Sequence, residues 1–549
     1  MSERSSSLGH QLAEALPAGC NVTIHHLSSF PTKCPALFAP LPGDTPPKTF
    51  CESQFLVVSI DPTPCSQPAS DDDQVLVFAI EVLIYCSTEL TTLFVSKADS
   101  SGYLHLLDAP KTDTAPLKAI ATTFISYLGQ ERRRPGIKTV ISLFARAQDQ
   151  YLFPGSVENG GKHVLDDRGL IRWWCRTLDP LLPLDDGEER TLRLQGYVLV
   201  PGLDRHETST LFPPSAKLDA TDRKRWLHGH PLREISRTPT APPRCLVPHF
   251  PDDPKARYLD ELDEEVSDSL KTGLTQSPSK LRRGGQWLGI KTLEQFWETM
   301  EFRQECSSGR LVGFIWILYE PLQETARESD WPHEHLGKSD LPDYTLPEIA
   351  TPPTARPKAR RKLTGPVKVR PPRPKTTLAR SEVGRPPVNT PYYQWPARSH
   401  GRVTVNEKDY KRVHDFLLHL DFANQKIATE STRRWVHEVA VIAELTGPSQ
   451  DWGEHIRGSK VRGLAAQSRT IKGNSVDASA MTKRKQDGRD ESSPALGVEA
   501  GGTNVLATNL VRKKPKRVAP APVAADAPAA PAVNVLGRGL VRKKAKPTE

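Results

Sequence analysis

The run QVLVFAIEVLIYCSTELTTLFVSKADSSGY (74–103) decides how the rest of the chain is read. Val75 to Tyr85 is a near-continuous apolar stretch, well short of the roughly 18–20 residues that span a bilayer. It is rich in Val, Ile and Leu, as strands are. A second such stretch, Leu90–Ser96, follows a short polar break. With QFLVVSI (54–60) upstream and LVGFIWILY (311–319) far downstream, these runs predict a central sheet. Ser96 is expected to end its strand, leaving Lys97–Gly102 as a polar exit loop. Ends of strands in α/β sheets are favoured ligand positions.

Helices surround this sheet in the sequence pattern. In LKAIATTFISYL (117–128), Leu117, Ile120, Phe124 and Leu128 share a face. In TLEQFWETMEF (292–302), Thr292 and Gln295 read as a capping box ahead of Phe296, Trp297 and Met300. Tyr410, Val413, Phe416, Leu417 and Leu420 recur at helical spacing, as do Trp435, Val439, Ile442 and Leu445 before Gly447-Pro448. The fold class is therefore α/β, a mixed central sheet surrounded by helices.

Composition divides the chain. Residues 351–400 hold eleven prolines and twelve Lys/Arg against one Glu. Such a segment buries too little apolar surface to offset its ordering entropy. The expected organisation is a core at 10–330, a disordered Pro/Arg-rich excursion at 331–401, helices packing back at 402–448, and a disordered basic tail at 449–549. In the tail NVLATNLVRKKPK (504–516) recurs as NVLGRGLVRKKAK (534–546), either a solvated charge run or a recognised basic peptide. The formal net charge of +9 suggests an acidic partner such as nucleic acid, a histone chaperone or an import receptor. The eight cysteines form no C-x-x-C pair, and no His cluster accompanies them, so neither a zinc site nor a disulfide framework is expected. The N-terminus has no apolar signal region, so a reducing, intracellular compartment is expected, with no membrane partner.

Three loops carry candidate chemistry: FVSKADSSGY (94–103), the stretch from Gln150 to Leu182, and FPDDPKARYL (250–259). In the second, Gly160-Gly161-Lys162-His163 offers flexible backbone and a cation, and Asp166 or Asp167 can cap the helix that follows. Trp173 and Trp174 point about 100° apart on that helix. They are either two core side chains or a core side chain and a pocket wall. In the third loop, Asp252-Asp253-Pro254 is either a plain turn or a pair of working carboxylates.

Together these words resemble the fungal histone acetyltransferases of the regulator-of-Ty1-transposition family. The shared words, in the shared order, are HHLSSFPTKC (25–34), FVSKADSSGY, LFARAQDQYLFPGS (143–156), GGKHVLDD (160–167) with RWW (172–174), and FPDDPKARYL. The resemblance spans about 20–320 and, more weakly, the helices at 405–446. It implies a fold related to the CREB-binding-protein acetyltransferases, acetyl-CoA as cosubstrate with no metal, and lysines of histone H3 in the H3–H4 complex as acceptors. Lysine fifty-six of that histone is the implied principal target, with N-terminal tail lysines secondary. It further implies histone chaperones of the nucleosome-assembly-protein and anti-silencing-function types, a nuclear setting, and roles in replication-coupled nucleosome assembly and DNA damage repair, without direct DNA binding as the primary contact.

Carried over by position, the acetyl-CoA contacts fall on Ala98, Asp99, Ser100, Phe144, Gln148, Tyr151, His163, Val164, Leu165 and Trp173. A further contact segment is expected near Lys111–Ala115, in uncertain register. Asp99 and Trp174 match functionally sensitive positions, Asp253 the proposed catalytic carboxylate with Asp252 beside it, and Lys255 a lysine that acetylates itself. Arg146, Lys162 and Arg257 are candidate phosphate cations. The chemistry asks for such a carboxylate: a free lysine amine has a pKa near 10.4, and attack on a thioester needs its neutral form. No Q/R-x-x-G-x-G/A loop and no zinc finger is present, which disfavours the GNAT and MYST acetyltransferases. The rival function is a non-catalytic chromatin scaffold that binds histone or DNA through its basic segments.

Overall fold

The computed structural model describes residues 6–41, 44–62, 74–107, 115–183, 192–220, 223–272, 286–303, 310–322, 386–447 and 451–461. Eleven strands make one mixed sheet. They are β1 (Asn21–Ser29), β2 (Thr32–Cys34), β3 (Thr49–Ile60), β4 (Val75–Cys86), β5 (Leu90–Ser100), β6 (Lys138–Arg146), β7 (Leu192–Leu199), β8 (Trp226–His228), β9 (Val312–Pro321), β10 (Val403–Val405) and β11 (Glu454–Arg457). Their order is β10-β1-β3-β4-β5-β6-β9-β7-β8, with β2 paired to β3 and β11 to β1. β4 lies at the centre and every residue in it but Leu83 is buried. Apart from Glu81, its run is therefore continuously apolar instead of alternating, as expected of a strand covered on both faces.

The strand expected to end at Ser96 continues to Ser100. Val82 pairs with Val95 and Glu81 with Lys97, so Ser96 is an extra residue, a β-bulge. Local polarity hid this continuation: backbone pairing to β4 holds Lys97–Ser100 in the sheet regardless of side-chain character. Beyond it, α2 (Pro116–Glu131), packed on the N-terminal helix α1 (Leu8–Ala15), carries the chain back to β6, which lies parallel to β5 with Leu93 opposite Ile141. α3 (Asp167–Leu178) packs on β6 and β9. A Cβ at Gly313 of β9 would meet Ile171 Cγ1 at 2.6 Å, so glycine is required for this close approach.

On the β9 side, Thr292 and Gln295 form the expected capping box on α5 (Leu293–Glu301), and Phe296, Trp297 and Met300 are buried beneath it. α4 (Ala256–Thr272) follows the FPDDPKARYL loop. The C-terminal helices α6 (Glu407–Leu417) and α7 (Gln425–Ile442) return to the sheet. Trp435 is fully buried and meets Phe55 edge-on at 6.1 Å. α7 closes at Ile442, five residues before Gly447, which takes a left-handed φ of 63°.

Ordered packing reaches further than composition indicates. Residues 386–401 fall inside the expected excursion, yet Tyr393 and Trp395 are buried and the Tyr127 hydroxyl donates to the Arg398 carbonyl at 2.6 Å. Residues 451–461 fall inside the expected tail, yet Trp452 is buried and β11 pairs with β1. A few aromatic side chains supply large apolar area, which an average over a Pro- and Arg-rich window conceals. Residues 323–385 and the repeat at 504–546 lie outside the described residues. Cys20, Cys34, Cys51, Cys86, Cys175 and Cys245 are free thiols. No helix among the described residues is long and apolar enough to cross a membrane.

Candidate active site

A cavity of about 540 Å³ opens beside the far end of β5, walled by β6, α3 and the loop before α3. It gathers Ala98, Asp99 and Ser100 from β5, Phe144 and Arg146 from β6, Gln148 and Tyr151 beyond it, His163, Val164 and Leu165 from the loop, and Trp173 and Trp174 from α3. All the acetyl-CoA contacts expected by position therefore line one space. The expected segment at Lys111–Ala115 falls largely outside the described residues.

The local sequence explains how the walls are held. Asp166 caps α3 by accepting from Gly169 N at 2.7 Å. Asp167 accepts from Leu311 N at 3.0 Å and tethers the helix start to β9. Gly102 has φ 90°, and a Cβ there would lie 2.6 Å from Lys162 N. A Cβ on Gly161 would strike the His105 ring and the Gly102 carbonyl. Gly161 thus lets the Gly-Gly-Lys-His loop close tightly on the Gly102–His105 turn that follows β5.

Asp99 explains the rest of that closure. Its carboxylate accepts from Ser100 N at 2.8 Å, Tyr151 N at 2.7 Å, Leu152 N at 2.9 Å and Phe153 N at 3.3 Å. Lys162 Nζ adds an ion pair at 3.0 Å and also donates to Ser156 Oγ at 2.7 Å. Both charged side chains are buried. Asp99, expected as catalytic, is thus a saturated acceptor that holds the 151–153 wall, and Lys162, expected as a phosphate cation, has its ammonium spent inside the protein. Tyr151 donates to the Arg146 carbonyl at 2.5 Å, and burial pushes its phenol up to about 12, so it is a donor at neutral pH.

The tryptophans fit neither of the two readings alone. Trp174 is buried, Trp173 half-buried, and their rings meet at 87° with centroids 4.9 Å apart. Both reach the cavity. The lining surface is mainly apolar, with polar and charged side chains set among it, a chemistry that fits the alkyl arm of a thioester carrier. A second cavity of about 460 Å³ shares Arg146–Asp149 and adds Arg310, which is paired with Asp167. Arg257, by contrast, is exposed, lines neither cavity and pairs with Glu261 at 3.3 Å. α4 turns its side chain away from β5.

The FPDDPKARYL loop packs against β5. Phe250 stacks on Phe94 with centroids 4.1 Å apart and planes within 3°. Asp253 and Lys255 are both buried, and Lys255 Nζ forms an ion pair with Asp253 Oδ2. Lys255 N donates to Asp253 Oδ1 at 2.9 Å. The Lys255 ammonium also lies 5.0 Å from the Phe314 ring and 5.7 Å from that of Phe250. Phe314 is the cross-strand partner of Phe144, whose side chain lines the cavity. Asp252 is exposed and pairs with Lys97 Nζ at 2.9 Å. Asp252 and Asp253 therefore do not share a site, and neither lines the cavity directly.

Lys97, Phe78, Leu104, His105, Leu117 and Leu170 also line the cavity but were not among the expected contacts. Leu170 was legible on the apolar face of α3. His105 had no local signal. Among the described residues, no group of three or more His, Cys, Asp or Glu side chains is placed to hold a metal ion.

Comparison with known proteins agrees with this geometry. The chain matches the histone acetyltransferase KAT11-type domain over residues 8–138 and 132–438. It is 39% identical to the histone acetyltransferase rtt109 of Aspergillus flavus over 580 aligned residues, covering 94% of this chain and 100% of that protein. It is 32% identical to rtt109 of Schizosaccharomyces pombe over 55% of this chain and 69% of the relative. The crystal structure of Rtt109 from Aspergillus fumigatus superposes with a TM-score of 0.63 at 40% identity, covering 83% of this chain and 100% of the other. The chain belongs to the KAT11-type histone acetyltransferases and is a histone lysine acetyltransferase with acetyl-CoA as its cosubstrate.

Proposed function

We propose that this enzyme acetylates histone H3, with lysine fifty-six as principal target and N-terminal tail lysines secondary. It acts in the nucleus on H3–H4 presented by chaperones of the nucleosome-assembly-protein and anti-silencing-function types. The setting is replication-coupled nucleosome assembly and the response to DNA damage. The cavity takes acetyl-CoA, with the 98–100 strand end, Phe144, His163–Leu165 and Trp173 against its acyl arm. Arg146, which lines both adjoining cavities, is the cation assigned to its phosphates.

The observation that carries this reading is the buried Asp253–Lys255 pair, one aromatic layer from the cavity. The acceptor amine's lone pair attacks the thioester carbonyl carbon, the C–S bond breaks, and the thiolate leaves. The amine proton must go to a base, and Asp253 is the carboxylate assigned to it. While Lys255 is a cation it occupies Asp253. Transfer of an acetyl group to Lys255 removes that charge and leaves a neutral amide beside a carboxylate free to accept a proton. The segment 500–549, with its duplicated LVRKK words, is assigned to chaperone docking and nuclear import.

The test uses the full chain with acetyl-CoA, H3–H4 and each chaperone type, reading acetylated positions by mass spectrometry. Modification concentrated at lysine fifty-six of H3, rising with chaperone and falling on deletion of 500–549, is the expected result. Acetylation mainly of another histone, or indifference to both chaperone types, overturns it.

A further inference from the structure

One residue in β4 has no business in an apolar strand. Glu81 lies at its middle, 5% exposed, where burying an unpaired charge is costly. Its carboxylate is met from four sides. Tyr410 of α6 donates to Oε1 at 2.8 Å, and Ser96 donates to Oε2 at 2.5 Å. Lys97 Nζ is 3.7 Å from Oε2, and His414 Nε2 is 3.9 Å from Oε1.

Two of these partners are the bulge itself. Ser96 is the unpaired residue of β5 and Lys97 the next, and both line the cavity. The Lys97 ammonium then reaches across to Asp252 at 2.9 Å. Asp252 has φ 56°, a left-handed conformation that costs a residue other than glycine. Something must hold it there, because Asp253 follows directly in the chain. Burial pulls the Lys97 ammonium down, but Glu81 and Asp252 outweigh it and hold its pKa above the ordinary value. It is therefore a fixed cation and not a proton acceptor. With carboxylates on two sides, it is also not a phosphate ligand.

We propose that Glu81 and Lys97 are positioning residues for acetyl transfer: Glu81 sets the bulge and anchors Lys97, and Lys97 clamps Asp252 so that Asp253 is held at its working place. This rests on the reading of Asp253 as the base. It also gives the C-terminal helix α6 a part in a site formed by strands more than 300 residues earlier, through the Tyr410 hydroxyl.

The test compares Lys97→Met, Lys97→Arg, Glu81→Gln and the double variant Lys97→Met/Asp252→Gly in the full-length enzyme. The measurements are kcat and KM for histone, the Kd of acetyl-CoA, and the thermal midpoint. Misplacing a reacting group by about 1 Å costs roughly a hundredfold. Lys97→Met and Glu81→Gln are accordingly expected to lower kcat by roughly ten- to a hundredfold, with acetyl-CoA Kd changed less than about threefold. Lys97→Arg retains part of the rate. The double variant recovers much of it, because glycine adopts φ 56° without a clamp.

Wild-type kcat in Lys97→Met overturns the proposal. So does a loss that glycine fails to rescue and that runs parallel with lost acetyl-CoA affinity and stability, since that is a structural defect. Asp253→Asn, run alongside, separates the two claims. If it is active while Lys97→Met is not and glycine rescues, the clamp stands and the base is another group. If it is inactive while Lys97→Met and Glu81→Gln are normal, the base stands and the clamp is overturned.

Discussion

Asp99 and Asp253 are both buried aspartates paired with a buried lysine. Their surroundings differ in what else the carboxylate does. Asp99 accepts from four backbone N–H groups besides Lys162, so its lone pairs are committed to holding the 151–153 wall. Asp253 accepts from one backbone N–H, that of Lys255, and from the Lys255 ammonium. Removing that one charge frees the second oxygen. A carboxylate with five donors is a fastener, and one with a single removable cation is a candidate for chemistry.

The largest effect that would break this contrast is in rate. Asp253→Asn is expected to lower kcat by roughly 10²–10⁴ while leaving acetyl-CoA affinity near wild type, as loss of a general base does. Single-turnover kinetics with histone between pH 6 and 9 checks this, and full turnover across that range would make Asp253 a fastener too. Asp99→Asn should act in the opposite manner, on the fold. It leaves Lys162 buried without its counter-charge, which costs on the order of 3 kcal/mol. Urea unfolding should report that loss, with acetyl-CoA affinity falling as the wall loosens. A stable but inactive Asp99→Asn would erase the distinction.

A smaller effect sharpens the picture of the cavity. Trp173→Ala, at the half-buried ring, should weaken acetyl-CoA binding by roughly tenfold, within the range of a lost aromatic contact. Calorimetric titration checks this. Trp174→Ala should cost more stability than its neighbour, because Trp174 is the buried ring.

A separate effect, on stability alone, sets the pH window in which the two aspartates can be compared. Burial holds the imidazoles of His25 and His26 down at about 4, against an ordinary value near 6.5. A depressed folded-state pKa means the unfolded chain binds more protons between those values. Stability is then complete above about 6.5 and falls as pH drops towards 4. Melts from pH 7 to 4 should show a decline that His26→Gln reduces. A flat profile would show that neither histidine is linked to folding.

Much of the fold was legible because burial on both faces writes itself into a strand as an unbroken apolar run. The runs at 54–60, 75–85, 90–96 and 311–319 each became a strand. The short edge strands β10 and β11 escaped notice, since three or four residues carry no periodicity. The ordered pieces at 386–401 and 451–461 were hidden by their prolines and charges. At the site, the motif words and their order carried the resemblance, and the resemblance supplied which residues meet around the cavity. The words did not distinguish Asp99 from Asp253, because each reads simply as an aspartate near a lysine. Glu81 was the one visible irregularity in an apolar strand, and its meaning lay in Tyr410, more than 300 positions away.

The sequence by itself determined the sheet-forming segments, the capped helices, the family and the set of side chains available for chemistry. These follow from local periodicity, capping and motif order, all carried by residues close in the chain. Only the tertiary structure decided which carboxylate is saturated and which is held by a single cation, that Lys162 is spent internally, that Arg257 faces solvent, and that Lys97 bridges two carboxylates. The role of a charged group depends on which donors and acceptors surround it at about 3 Å. Those neighbours come from strands and helices whose separation along the chain has no fixed relation to their separation in space.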